Sequence, residues 1–288
     1  MIKIIILLFN IIFPLFINNT YADQHLPKHK AIPGGIAIIP LDIKTIEVPV
    51  AFFNDKQVIV TKYRNHTEKT LNWVAIVGIP VITKPGMQKI YVHAEKTSHN
   101  QFKINFEKSF LVSYKEYPVE KLKIDPNLVT PIAPIDRIRA LKETEAIKNA
   151  YRHWSNQIPN LKFTIPVSAA RKSSVFGLKR ILNGTNKGYH SGLDLAAPIG
   201  TPVIAASSGI VILTGNFFYT GNTIFIDHGQ GLITSYFHLN SINVNEGDFI
   251  ESESIIGTLG KTGRVTGPHL HWSVSLNDAR INPELFLN

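Results

Sequence analysis

The chain has 288 residues, 44% of them hydrophobic, with a formal net charge of +9 and no cysteine. Its length exceeds that of a usual single domain and predicts two compact units behind a targeting segment. The missing cysteines exclude disulfides, thiol catalysis, thiolate metal ligands and a lipid-modified cysteine, so any metal must be held by histidine and carboxylate.

The first element is residues 1–22: one charge at Lys3, an apolar run from Ile4 to Ile17, then Thr20, Tyr21 and Ala22 before a cleavage point. This reads as a secretory signal peptide, too short and interrupted to favour a membrane-spanning helix, with an uncleaved anchor as the alternative. Contact with a membrane is then transient, through the signal alone. Residues 23–126 hold short β-type runs separated by Pro, Gly, Asn and Asp: Gly35–Ile39, Ile46–Val50, Gln57–Thr61, Trp73–Val77, Ile90–His93 and Phe110–Ser113. They predict a small antiparallel sandwich or barrel that binds, positions or masks. His93 and His99 lack a partnering carboxylate and read as surface residues. Residues 127–160 form a linker and helix: Pro126, Pro131 and Pro134 mark a connector, and Asp136–Trp154, free of Gly and Pro, predicts an amphipathic helix through Ala140, Ile147, Ala150, Tyr151 and Trp154. Residues 161–288 return to strand-like runs with glycine at most joins, which predicts an antiparallel sheet folded by hairpins. The fold class is therefore mainly β, with an N-terminal β domain, a connecting helix and a C-terminal antiparallel sheet.

Four side chains in the last unit pair by spacing: His190 with Asp194, and His269 with His271. An even separation puts each pair on one face of a strand, with Leu270 turned into a core. Two imidazoles and a carboxylate suit Zn²⁺, and a catalytic zinc keeps three protein ligands and one open position. A fourth candidate beside the metal could serve as a general base. Spacing does not say which of His269 and His271 is the ligand. His238, at the end of the run Ser235–Leu239, supplies a further imidazole.

These residues carry a resemblance. From residue 171 onward the chain resembles the LytM/lysostaphin-type family of zinc metallopeptidases, through Phe176-Gly177, the stretch Tyr189–Pro202, Gly221–Gly229, Ser235–Leu239 and Thr262–Trp272. The resemblance implies that His190, Asp194 and His271 bind Zn²⁺, that His238 and His269 are catalytic histidines beside it, and that the C-terminal sheet is a LytM-type peptidase domain. Its implied substrate is bacterial peptidoglycan, at D-Ala to meso-diaminopimelate cross-links, in the periplasm or cell envelope. Upstream, Pro33–Ile36 followed by a β domain and a helical arm resembles multidomain exported members from Gram-negative bacteria, in which such a domain can cover the catalytic groove. Some relatives have lost their ligands and activate other wall hydrolases, and a non-catalytic wall-binding activator is the alternative function. The basic charge suits an anionic partner. Nucleic acid is disfavoured, because no recognised binding motif accompanies the charge and the signal peptide directs export.

Overall fold

In a computed structural model the described residues are 25–45, 47–65, 70–96, 102–123 and 133–287. The proposed signal peptide, most of the proline connector and His99 lie outside them. The fold is mainly β.

The N-terminal part contains β1 (Ile36–Pro40), β2 (Val50–Phe53), β3 (Lys56–Asn65), β4 (Thr70–Gly78), β5 (Gly86–Lys96) and β6 (Phe102–Val112). They form one six-stranded antiparallel sheet in the order β1-β4-β3-β2-β5-β6. The sheet curls so that its first and last strands contribute to one core: Ala37 and Ile39 from β1 meet Val112 from β6. Of the run Ile46–Val50, Ile46 lies outside the described residues and Glu47–Pro49 are not strand. Pairing starts at Val50, beyond Pro49, whose missing N–H cannot join a ladder. The continuous apolar run of β4 has a plain cause. Its side chains alternate: Trp73, Ala75 and Val77 face the sheet's own core, whereas Ile76 joins Ile36 and Ile59 in a second core shared with the C-terminal part. A strand buried on both faces has no polar face to display.

After β7 (Val119–Leu122) comes the helix α1 (Pro134–Tyr151). Pro134 occupies its first turn, where a missing N–H is harmless, so the helix begins earlier than expected and ends before Trp154. It docks through Ala140, Ala150 and Tyr151, while Ile135, Ile138 and Leu141 stay exposed.

The C-terminal part contains β8 (Arg171–Ser174), β9 (Lys179–Leu182), β10 (Thr185–Tyr189), β11 (Leu193–Ala196), β12 (Pro202–Ile204), β13 (Gly209–Phe217), β14 (Gly221–Asp227), β15 (Leu232–Ile242), β16 (Phe249–Ile250), β17 (Ile255–Leu259), β18 (Leu270–Leu276) and β19 (Ala279–Ile281), closed by a short 3₁₀ turn at Pro283–Leu285. The main path runs β16-β13-β14-β15-β18-β11-β8, antiparallel throughout. One face packs Leu193, Leu195, Ile224, Tyr236, Trp272 and Val274 into the shared core. The other presents Phe225, Ile233 and Phe237 to Ala150 and Tyr151 of the helix. β7 pairs parallel with β9, so it crosses from the N-terminal sheet to the C-terminal half. The halves are also clasped by Asn277, which accepts from the Gly78 amide at 2.7 Å and donates to its carbonyl at 3.0 Å.

Candidate metal centre

Strand alternation decides where the site lies. Leu193, Leu195, Trp272 and Val274 are turned into the shared core, so Asp194 and His271 emerge on the opposite face, directly across from each other in the β11–β18 register. His190 reaches them differently from the single-strand spacing expected. It lies outside β11, and the chain bends through Ser191 and Gly192 before the strand begins. A Cβ on Gly192 would stand 2.4 Å from the Trp272 carbonyl oxygen and 2.8 Å from His271 Nε2, so only glycine permits this approach.

The three groups converge closely. His190 Nε2 is 3.0 Å from both Asp194 Oδ1 and His271 Nδ1, and His271 Nδ1 is 2.8 Å from Asp194 Oδ1. All three side chains are buried. His190 Nδ1 stands 2.8 Å from the Val175 carbonyl oxygen, which can only accept; the proton is therefore on Nδ1, and Nε2 of the neutral ring offers a lone pair. His271 Nε2 is 2.9 Å from Ser273 Oγ, a hydroxyl able to accept its proton, an arrangement that turns the Nδ1 lone pair toward the same point. Burial holds the His271 ring below its ordinary pKa, against the pull of Asp194. Burial alone would raise Asp194; whenever either neighbouring ring takes up a second proton, its hydrogen bond and charge outweigh burial and hold the carboxyl far below the usual carboxylate range. Two ring lone pairs and a carboxylate aimed at one another repel unless a cation or shared proton lies between them. The donor set thus fits a divalent metal, and the outer hydrogen bonds are those that orient imidazole ligands.

Two more imidazoles border the cluster. His238 has φ +66°, in the left-handed region, and sits at a bulge of β15: Asn222 pairs with Leu239 and Ile224 with Tyr236, so two steps on β14 face three on β15. The extra residue returns Leu239 to the core face and re-aims the His238 ring. Its Nδ1 donates to the Thr262 carbonyl at 3.0 Å, leaving Nε2 as acceptor, and burial lowers its pKa to about 3. His269 Nδ1 donates to the Gly267 carbonyl at 2.9 Å, and its Nε2 is 3.8 Å from Asp194 Oδ1. The ring centroids of His238 and His269 are 5.0 Å apart. All five residues expected from the sequence are therefore gathered at one site. His93, by contrast, is exposed on the N-terminal sheet beside Asn105.

Residues 188–283 match peptidase family M23, and residues 29–107 match the peptidase family M23 N-terminal domain. A crystal structure from Pseudomonas aeruginosa, described as a peptidase M23, is 38% identical and superposes with a TM-score of 0.72 over 90% of this chain and 96% of that one. The chain belongs to peptidase family M23. Within M23, the peptidoglycan DD-endopeptidase ShyA of Vibrio cholerae is 42% identical over 113 residues, 39% of this chain and 26% of that protein. The DD-carboxypeptidase/endopeptidase Mpg of Neisseria meningitidis is 39% identical over 120 residues, 41% of this chain and 27% of Mpg. The matched segment thus spans about a quarter of the length of these curated M23 relatives. Sequence reasoning missed two residues at the rim, Arg180 and Glu120. Each is an ordinary charge in a polar segment, and only the β7–β9 register brings them together.

Proposed function

We propose that this chain is a zinc-dependent endopeptidase that hydrolyses peptide cross-links of bacterial peptidoglycan, at the D-Ala to meso-diaminopimelate bond, after export to the cell envelope. His190, Asp194 and His271 hold the metal, and His238 and His269 are the catalytic histidines. The observation that carries this reading is the convergence of three buried donor atoms within 3.0 Å, bordered by two rings whose Nδ1 protons are already committed to backbone carbonyls. Support for the substrate comes from the activities named for ShyA and Mpg, and support for export from the leader-like residues 1–22.

When bound, zinc would supply Lewis acidity toward the scissile carbonyl and lower the pKa of water toward about 7. The chain's own residues do the rest. With Nδ1 tied to Thr262, His238 can accept a proton only at Nε2, which makes it a general base of fixed orientation. His269 is fixed in the same way by Gly267. The ring that takes a proton from the attacking water carries it at Nε2 and returns it to the departing amine nitrogen, and its neighbour is close enough to share in that transfer. Phe237 stacks on His271 at 5.3 Å and 9°, restricting the ring that closes the donor set.

The test is mass analysis of purified muropeptides incubated with the mature protein. Cleavage at one peptide bond that is abolished by a chelator and restored by zinc is the expected result. Stoichiometric zinc with no cleavage would point instead to a wall-binding protein that activates another hydrolase.

A further inference from the structure

Arg180 brings a positive charge to the edge of the metal centre, and no step described so far uses it. From β9, its Nη2 donates to Ser174 Oγ at 3.2 Å and stands 3.8 Å from Asp194 Oδ2, beyond hydrogen-bond reach. Its Nε is buried without a hydrogen-bond partner. Glu120 lies beside Arg180 in the parallel β7–β9 register and brings Oε2 to 3.4 Å from that Nε, too poorly aligned for a hydrogen bond. An unsatisfied N–H on a charged group is costly, and the guanidinium fork matches the two oxygens of a carboxylate. The Arg180 side chain is 38% exposed, so a solute arriving at the centre can reach it. An internal carboxylate already approaches the spot, which marks it as an anion position.

We infer that Arg180 anchors a free carboxylate of the substrate peptide beside the scissile bond, in the position that Glu120 partly occupies. The inference rests on the peptidase reading above and names a substrate class: peptides carrying a free carboxylate within about one residue of the cleaved bond. Arg180 is then a specificity-determining residue. Its distance from Asp194 suits this role better than direct support of the metal ligand, because a carboxylate entering from solvent can approach the exposed part of the guanidinium and, once Glu120 swings aside, the Nε it now covers, whereas Asp194 Oδ2 comes no nearer than 3.8 Å.

The experiment compares two synthetic stem-peptide dimers that differ only in a carboxylate or a carboxamide next to the scissile bond. The zinc-loaded wild-type protein should prefer the acid by about 10- to 100-fold in kcat/KM, the range of a charge-assisted hydrogen bond. Arg180→Gln should remove the preference by raising KM for the acid with kcat little changed, and Arg180→Lys should restore part of it. Glu120→Gln should lower KM for the acid by removing the internal competitor. Zinc content and affinity of Arg180→Gln should match wild type. Equal cleavage of both peptides by wild type would overturn the inference. So would an equal loss on both peptides in Arg180→Gln together with weakened zinc binding, since that would make Arg180 a support for Asp194. If zinc-loaded wild type cuts neither peptide, the peptidase reading fails. Calorimetric binding of the two peptides to wild type and Arg180→Gln then decides the role of Arg180 alone: acid-selective binding lost in the variant supports it, and indifference overturns it.

Discussion

Gly192 is where the closeness of the three donor groups is decided. A methyl group there would press on a backbone oxygen at 2.4 Å and on Ser273 Oγ at 2.6 Å, and the backbone cannot swing aside. Gly192→Ala is expected to cost roughly 2–3 kcal/mol of stability, in the upper part of the overpacking range, and to weaken zinc binding at least tenfold as His271 shifts. A thermal melt and a zinc titration on the same preparation check both. The histidines separate by role. His271→Ala should lose metal and activity together, whereas His238→Ala should keep its zinc while activity falls by about 10²- to 10⁴-fold. Zinc content and muropeptide digestion measured side by side distinguish them, and a metal-free His238→Ala protein would mean that the roles are assigned wrongly.

At the scale of elements, Asn277 matters more than its place in a turn suggests. Asn277 and Asp278 have φ values of +43° and +64° and join Leu276 to Ala279, the two-residue hairpin that favours such residues. The Asn277 side chain pairs with both backbone groups of Gly78. Asn277→Gly keeps the turn but leaves two buried polar groups without these partners, and should cost about 2–4 kcal/mol in urea unfolding with little change in slope. Much of this framework was legible beforehand. Leu270 was expected in the core and is there, because the 269–271 spacing and the apolar alternation agree. That the five residues lie together was legible because few side-chain types can hold a metal and these recur at even spacing. Other features were hidden. β8, β9 and β10 are short and rich in Arg, Lys, Ser, Thr and Asn, so they show no apolar alternation. β6 begins at Phe102, well before Phe110, because its exposed face alternates Lys, Asn and Glu. The bulge that re-aims His238 leaves no mark in composition, since a histidine in the left-handed region reads like any other.

For the molecule as a whole, the two sheets share one hydrophobic core through Ile36, Ile59 and Ile76. No helix among the described residues is long and apolar enough to cross a membrane. Stability should depend on acid through a residue away from the metal centre. His228 is fully enclosed, its Nδ1 donating to the Ser208 carbonyl at 2.7 Å and its Nε2 accepting from Thr234 Oγ1 at 2.8 Å. Burial pushes its pKa down to about 4, against the opposing pull of the Ser208 carbonyl and Asp227. Because the folded value is depressed below the unfolded value of about 6.5, the unfolded chain binds the extra proton first. The stability this neutral ring contributes is complete above about pH 6.5 and is lost as pH falls toward 4, by about 3 kcal/mol. Urea unfolding from pH 7 to pH 4 should show this slope, and His228→Gln should flatten it.

β18 ties these scales together. Its first residues follow His269 and present His271 to the cluster, and its far end runs straight into the Asn277 clasp on Gly78. One strand therefore has the N-terminal sheet at one end and the His271 ring at the other. A load that pries the sheets apart would be delivered along that strand to the ring itself.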